Sequence, residues 1–163
     1  LEVASTVGKG ATFRIFLPAI NAAQAASPPT GTMTTAALRG TETILLVEDD
    51  PLVRKLTRIT LERVGYQVLE AESGPAALAV WRQRAPEIAV LLSDLVMPGG
   101  LTGFDLADQL RKERPQLKSV FISGYSQEAL EQASLLGPGR WFLRKPFTAQ
   151  QLGETVRHCL DGK

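Results

Sequence analysis

Thr43-Ile44-Leu45-Leu46-Val47-Glu48-Asp49-Asp50-Pro51 changes character twice: a run of β-branched and apolar residues, then three acids, then a proline. The first five positions read as a short strand covered on both faces, because the apolar run is continuous rather than alternating. Asp50-Pro51 reads as a helix start, since aspartate accepts from free first-turn amides and the fixed φ of proline suits the first helical position. Behind it, the spacing predicts a helix over 51–64 that puts Leu52, Leu56 and Ile59 on one face and stops before Gly65. A strand feeding a helix in this way is one βα unit.

Moving outward along the chain, the same alternation recurs. Strands are predicted at 67–70, 88–93, 119–122 and 141–143, with helices over 75–84, 102–114, 127–136 and 149–160. Five such units predict an α/β fold, a doubly wound five-stranded parallel sheet with helices on both faces. In such sheets ligands sit beyond the carboxyl ends of the strands. Upstream the pattern differs. Phe13, Ile15 and Leu17 alternate as in a half-buried strand, and a strand by itself is no domain. Residues 18–41 are rich in Ala, Thr, Pro, Gly and Ser, hold no acid, carry charge only at Arg39 and include Ser27-Pro28-Pro29. They read as a flexible linker. The organisation expected is therefore 1–17, a linker over 18–41, and a domain over 42–163.

The whole chain has 163 residues, 18 Lys+Arg against 17 Asp+Glu, and 44% hydrophobic residues, the balance of an ordinary globular protein. A net charge of +1 argues against nucleic-acid binding driven by bulk charge. The single cysteine, Cys159, forms no internal disulfide and fits a reducing, cytoplasmic setting. No apolar run approaches the roughly 20 residues of a membrane span, and no export signal opens the chain.

Asp49 and Asp50 follow the first predicted strand, Asp94 the third, Ser123 the fourth and Lys145 the fifth, so all five gather at one sheet edge. Carboxylates brought together repel, and a hard divalent cation such as magnesium resolves that. A carboxylate beside the metal can act as a nucleophile toward phosphorus, with a hydroxyl and an ammonium steadying the other phosphoryl oxygens. Each residue also has a plainer reading: Asp50 as a helix cap, Asp94 as a turn former, Ser123 as part of a strand-end turn, Lys145 as a solvated charge. Their convergence on one edge is what favours chemistry. His158 reads as a helix-end contact, Cys159 as a small core residue, and Trp81 and Trp141 as packing residues.

Leu45-Leu46-Val47-Glu48-Asp49-Asp50, Ser93-Asp94-Leu95-Val96-Met97-Pro98-Gly99-Gly100, Ile122-Ser123-Gly124-Tyr125-Ser126 and Leu143-Arg144-Lys145-Pro146-Phe147 together resemble the receiver domain of two-component response regulators. The resemblance covers 42–163. It implies a flavodoxin-like sheet of strand order 2-1-3-4-5 and makes Asp94 the phosphoacceptor. Asp49, Asp50 and the backbone carbonyl of Val96 then hold Mg2+, and Ser123 and Lys145 contact the phosphoryl group. Phe142 becomes the aromatic that changes rotamer with activation, and Lys145–Pro146 a cis peptide. Val96 and Tyr125 flank the path of attacking water, which implies slow self-dephosphorylation. The implied partner is a histidine kinase or a histidine phosphotransfer protein, and a homodimer stays open.

Val7-Gly8-Lys9-Gly10-Ala11-Thr12-Phe13-Arg14-Ile15-Phe16-Leu17-Pro18 resembles the last glycine box and strand of a histidine-kinase ATP-binding domain. This implies the C-terminal receiver of a hybrid histidine kinase, with 1–17 as a remnant of the kinase domain that binds no ATP. The only activities then expected of the chain are receiver phosphotransfer and self-dephosphorylation. Three other readings compete. An aspartate-nucleophile phosphatase of the haloacid-dehalogenase type needs an acid two residues past the nucleophile, where Val96 stands. A flavodoxin-like cofactor binder needs a glycine- and hydroxyl-rich phosphate loop after the first strand, where the acids stand. A receiver-like scaffold without phosphotransfer keeps the fold and loses the chemistry.

Overall fold

The computed structural model describes residues 2–16, 38–97, 100–124 and 139–162, and the chain divides into two compact units between Met33 and Thr34. In the first unit, β1 (Glu2–Thr6) and β2 (Gly10–Arg14) form an antiparallel hairpin with Val3 opposite Phe13. Gly8 and Gly10 take positive φ at its turn, a conformation that costs residues with a Cβ. The expected alternating strand around Phe13 exists but ends at Arg14, and its partner β1 was not foreseen. Every described residue of this unit is exposed.

The second unit carries β3 (Thr43–Val47), α1 (Pro51–Arg63), β4 (Gln67–Ala71), α2 (Gly74–Arg84), β5 (Ile88–Asp94), α3 (Gly103–Glu113), β6 (Lys118–Ser123), β7 (Arg140–Arg144) and α4 (Ala149–Asp161). All five strands are parallel, in the order β4-β3-β5-β6-β7. Within this unit that is the 2-1-3-4-5 order of the flavodoxin-like fold. The helix expected at 127–136 lies outside the described residues.

Strand parity divides the core in two. Leu45 and Val47 of β3, with Leu91 and Phe121, face Trp81 of α2 and Leu106 and Leu110 of α3. Ile44 and Leu46, with Val90, Leu92, Val120 and Ile122, face Leu61 of α1 and Leu152, Val156 and Cys159 of α4. All four residues of β3 from Ile44 to Val47 are fully buried, as a strand covered on both sides requires. At the amino-terminal end of the sheet, Trp81 donates from Nε1 to Glu113 at 2.7 Å and the Arg114 guanidinium lies 5.0 Å from its ring centroid.

Two expectations need correction. Leu52 and Leu56 share a face of α1, but it is the outer one: they are 77% and 66% exposed, and the buried residues are Thr57 and Leu61. An apolar triplet alone does not say which way a helix faces. Residues 38–41, expected in the linker, are packed. Leu38 is buried against Gly153 of α4, and the Gly40 amide donates to Val64 at 3.1 Å. The packed unit therefore begins ahead of residue 42.

Candidate functional site

Because the strands are parallel, their carboxyl ends share one edge, and β3, β5, β6 and β7 deliver the candidate side chains there. Asp94 ends β5, the central strand, and is 9% exposed. The next amide, Leu95, donates to Ile122 of β6 at 2.9 Å, which fixes the backbone at this point. Gly103, capped into α3 by Thr102, lies so close that a Cβ there would stand 2.4 Å from the Asp94 carbonyl oxygen. Asp94 Oδ1 accepts from the Val96 amide at 3.1 Å, and Oδ2 accepts from Lys145 Nζ at 2.7 Å. The same ammonium donates to Glu48 Oε2 at 2.8 Å. The Lys145 amide donates to the Ser123 carbonyl at 2.7 Å, which fixes its backbone against β6; Lys145–Pro146 is the expected cis peptide. Ser123 is buried beside it, its hydroxyl donating to the Gly124 carbonyl at 3.1 Å.

One oxygen from each of Glu48, Asp49 and Asp94 lies within 4.8 Å of the others, a group able to hold a metal ion. The expected acid pair is thus shifted by one residue. Asp50 is not in the cluster: its Oδ1 accepts from the Leu52 amide at 2.8 Å and from Val53 at 3.1 Å, capping α1. Those two bonds hold its carboxyl below the usual aspartate range. Glu48 takes its place, and the sequence held the clue. An aspartate directly before a proline at a helix start is committed to the cap, so the acids free to face the site are the two before it.

Burial pushes the Glu48 carboxyl above its ordinary value, with the Lys145 ammonium opposing and Asp94 adding to the rise. Burial also pulls Lys145 down, but its bonds to Asp94 and Glu48 outweigh that and leave it raised. Three carboxylates thus face one ammonium at an edge only partly open to water. An all-oxygen donor set with surplus negative charge suits a hard divalent cation. Val96 sits beside Asp94 with its side chain 79% exposed. Phe142 on β7 is half-buried, in register with Phe121 of β6, and packs on the same core cluster. Tyr125, and Pro98 and Gly99 of the loop after Asp94, lie outside the described residues.

Comparison with known proteins identifies the family. The model of the response regulator receiver domain family matches residues 44–157. The chain belongs to that family. Among curated relatives, this chain is 37% identical over 163 residues to the sensor kinase CckA of Brucella abortus; the alignment takes in 96% of this chain and only 17% of the kinase. It is 37% identical over 122 residues to PilH of Pseudomonas aeruginosa, covering 73% of this chain and 98% of that protein. The crystal structure of the receiver domain of the hybrid histidine kinase CckA superposes with a TM-score of 0.61 at 36% identity, covering 72% of this chain and 98% of the other. A receiver from Sinorhizobium medicae gives 0.67 at 31% identity, over 74% and 95% of the two chains. The expected family, fold and place in two-component signalling are borne out. No described helix of the receiver is long and apolar enough to cross a membrane.

Proposed function

We propose that this receiver takes a phosphoryl group from the phosphohistidine of a histidine kinase or histidine phosphotransfer protein onto Asp94. The observation that carries the reading is the Lys145 ammonium, held between Asp94 and Glu48 at the rim of an acidic cluster that includes Asp49. In the transfer, an Asp94 carboxylate oxygen forms a bond to phosphorus as the phosphorus–nitrogen bond breaks, and the electron pair of that bond leaves with the donor imidazole. Mg2+, held by Asp49, Asp94 and Glu48 with the Val96 carbonyl as a further ligand, would neutralise the cluster and draw charge from the phosphoryl oxygens. Lys145 follows the charge from the carboxylate to the new phosphoryl group. Ser123 can turn its hydroxyl from the Gly124 carbonyl to a phosphoryl oxygen, with Phe142 on the neighbouring strand changing rotamer in response. Beside Lys145, a groove of about 450 Å³ runs between α1 and α4, with Leu56, Pro146 and Phe147 in its lining, and offers a helical donor an apolar seat.

A small phosphodonor such as acetyl phosphate with magnesium should add one phosphoryl group to the parent and none to Asp94→Asn, by intact mass. Equal labelling of both would remove Asp94 as the acceptor. No labelling of the parent by this donor or by a phosphorylated histidine phosphotransfer protein would leave a scaffold.

A second reading concerns origin: the chain derives from a hybrid histidine kinase, with the hairpin as the last piece of its kinase domain. Strand alternation puts Val3 and Phe13 on one face of the hairpin and Glu2 and Arg14 on the other, and the apolar pair is 57% and 67% exposed. A two-stranded ribbon with an open apolar face is the edge of something larger, and the CckA match extends through this region. Amides of residues 10–14 should exchange slowly in a longer chain carrying the preceding kinase residues and rapidly in this one. Equal exchange would refute that origin.

A further inference from the structure

We infer that Arg54 is a positioning residue for the acidic turn, fixing the peptides of Glu48 and Asp49 so that their carboxylates converge; the inference rests on the cation-binding reading of that cluster. Arg54 leaves the first turn of α1 and reaches back beneath the turn. One guanidinium nitrogen donates to the Glu48 carbonyl and, at 3.2 Å, to the Asp49 carbonyl. From the other side Glu70 of β4 lies 3.8 Å from its Nε, and the side chain is only 16% exposed.

What the guanidinium bonds matters as much as where it lies. It sits on the main-chain oxygens of both acids, and among the described residues its hydrogen bonds go to those carbonyls and its ion pair to Glu70, rather than to the carboxylates of Glu48 or Asp49. A lysine or arginine paired with the carboxylates themselves would compete with a cation for the same oxygens. Arg54 instead orients the peptide planes and leaves the side-chain oxygens of Asp49 available. The planar guanidinium suits this task, since Nη1 serves both carbonyls while Nε, fixed in the same plane, faces Glu70 on the other side. Groups that orient metal ligands from behind change affinity strongly when lost.

Arg58, one turn further along α1, provides the comparison. It pairs with Glu62 at 2.8 Å and with Glu70 at 3.1 Å. It shares helix, charge and a partner with Arg54, yet its ion pairs lie away from the acidic turn.

The experiment titrates the parent chain, Arg54→Met, Arg54→Lys and Arg58→Met with magnesium chloride, following the backbone amide signals of residues 48–50 by NMR, and records urea unfolding of each. Arg54→Met should bind magnesium about 10-fold more weakly and shift or broaden those amides before any metal is added. Arg54→Lys should fall between it and the parent. Arg58→Met should stay within about 2-fold of the parent, even if it loses as much stability, because second-sphere orientation and helix stability are separate quantities. Parent-like affinity and amide signals in Arg54→Met would overturn the inference, and so would equal weakening in Arg54→Met and Arg58→Met. A parent that binds no magnesium would refute the cation reading instead. The metal-free amide signals would then still decide whether Arg54 orders the turn.

Discussion

Gly103→Ala tests how tightly α3 is seated against the end of β5. A Cβ at this position would lie 2.4 Å from the Asp94 carbonyl oxygen and 3.0 Å from Ser93 Oγ, whereas ordinary contacts begin near 3.4 Å. About 1 Å of movement is therefore required, and the obstruction is backbone rather than a flexible side chain. The carbonyl belongs to the central strand, and the Gly103 amide itself donates to the Leu95 carbonyl at 3.0 Å, so helix and strand end are tied where they must part. Overpacking of this kind costs about 1–3 kcal/mol, while replacing glycine by alanine in a helix returns at most about 1 kcal/mol. The net expectation is a loss of about 1–2 kcal/mol, read from the urea midpoint at unchanged slope, together with weaker magnesium binding because Asp94 moves with its backbone. Gly124→Ala is the control: among the described residues nothing would lie within 4 Å of a Cβ there, and it should leave the midpoint in place. A Gly103→Ala variant as stable as the parent would show that α3 can shift freely, and the argument from close approach would fail.

Lys145→Met should cost about 2 kcal/mol at neutral pH, less than the roughly 3–5 kcal/mol of a fully buried pair because the lysine side chain keeps 26% of its exposure. Adding Asp94→Asn should recover part of the loss, and strict additivity in that double-mutant cycle would deny the pair its coupling. Burial pushes the Cys159 thiol from 9.0 to about 12; a raised folded-state value means its contribution is complete below pH 9 and is lost as pH climbs from there toward 12. The parent should therefore lose up to about 1.4 kcal/mol per pH unit more than Cys159→Val across that window in urea titrations, and parallel curves would contradict it. Leu38→Ala should cost about 2 kcal/mol and open residues 38–41 to limited proteolysis, since the side chain is 6% exposed and rests on Gly153; an unchanged midpoint and cleavage pattern would mean that the contact anchors nothing.

The sheet was legible because its central strands are covered on both faces and carry long apolar runs: 43–47 was read to the residue, and the helix expected at 51–64 ends one residue earlier, at Arg63. Less legible were features decided by competition or by distance. Asp49 and Asp50 carry the same side chain, and the demand of the α1 amides, signalled in sequence only by Pro51, separates a cap from a cluster member. Leu52 and Leu56 obey helical spacing but lose the core to Thr57 and Leu61, an outcome set by how α1 lies on the sheet. Leu38 sits in a segment without periodicity, so its burial depends on a glycine in α4 far along the chain. The Lys145 bridge joins residues 51 and 97 positions apart, and only the parallel register brings them together.

The strand order also runs parallel to the order in which the strands leave the ribosome. β4 closes one side of β3 early, and β5, β6 and β7 then add on the other side in the order of their synthesis. At each stage a single apolar border remains open, and the next strand to emerge is the one that covers it. Parallel pairing is slow because each strand must wait for its crossover, so that border is the point of vulnerability to intermolecular association. The two borders that stay open in the finished sheet are of a different kind: β4 presents exposed Gln67 and Glu70, and β7 has Arg140 and Arg144 at its ends. Charge at both permanent edges discourages further strand addition, so the border open to polymerisation belongs to the incomplete sheet.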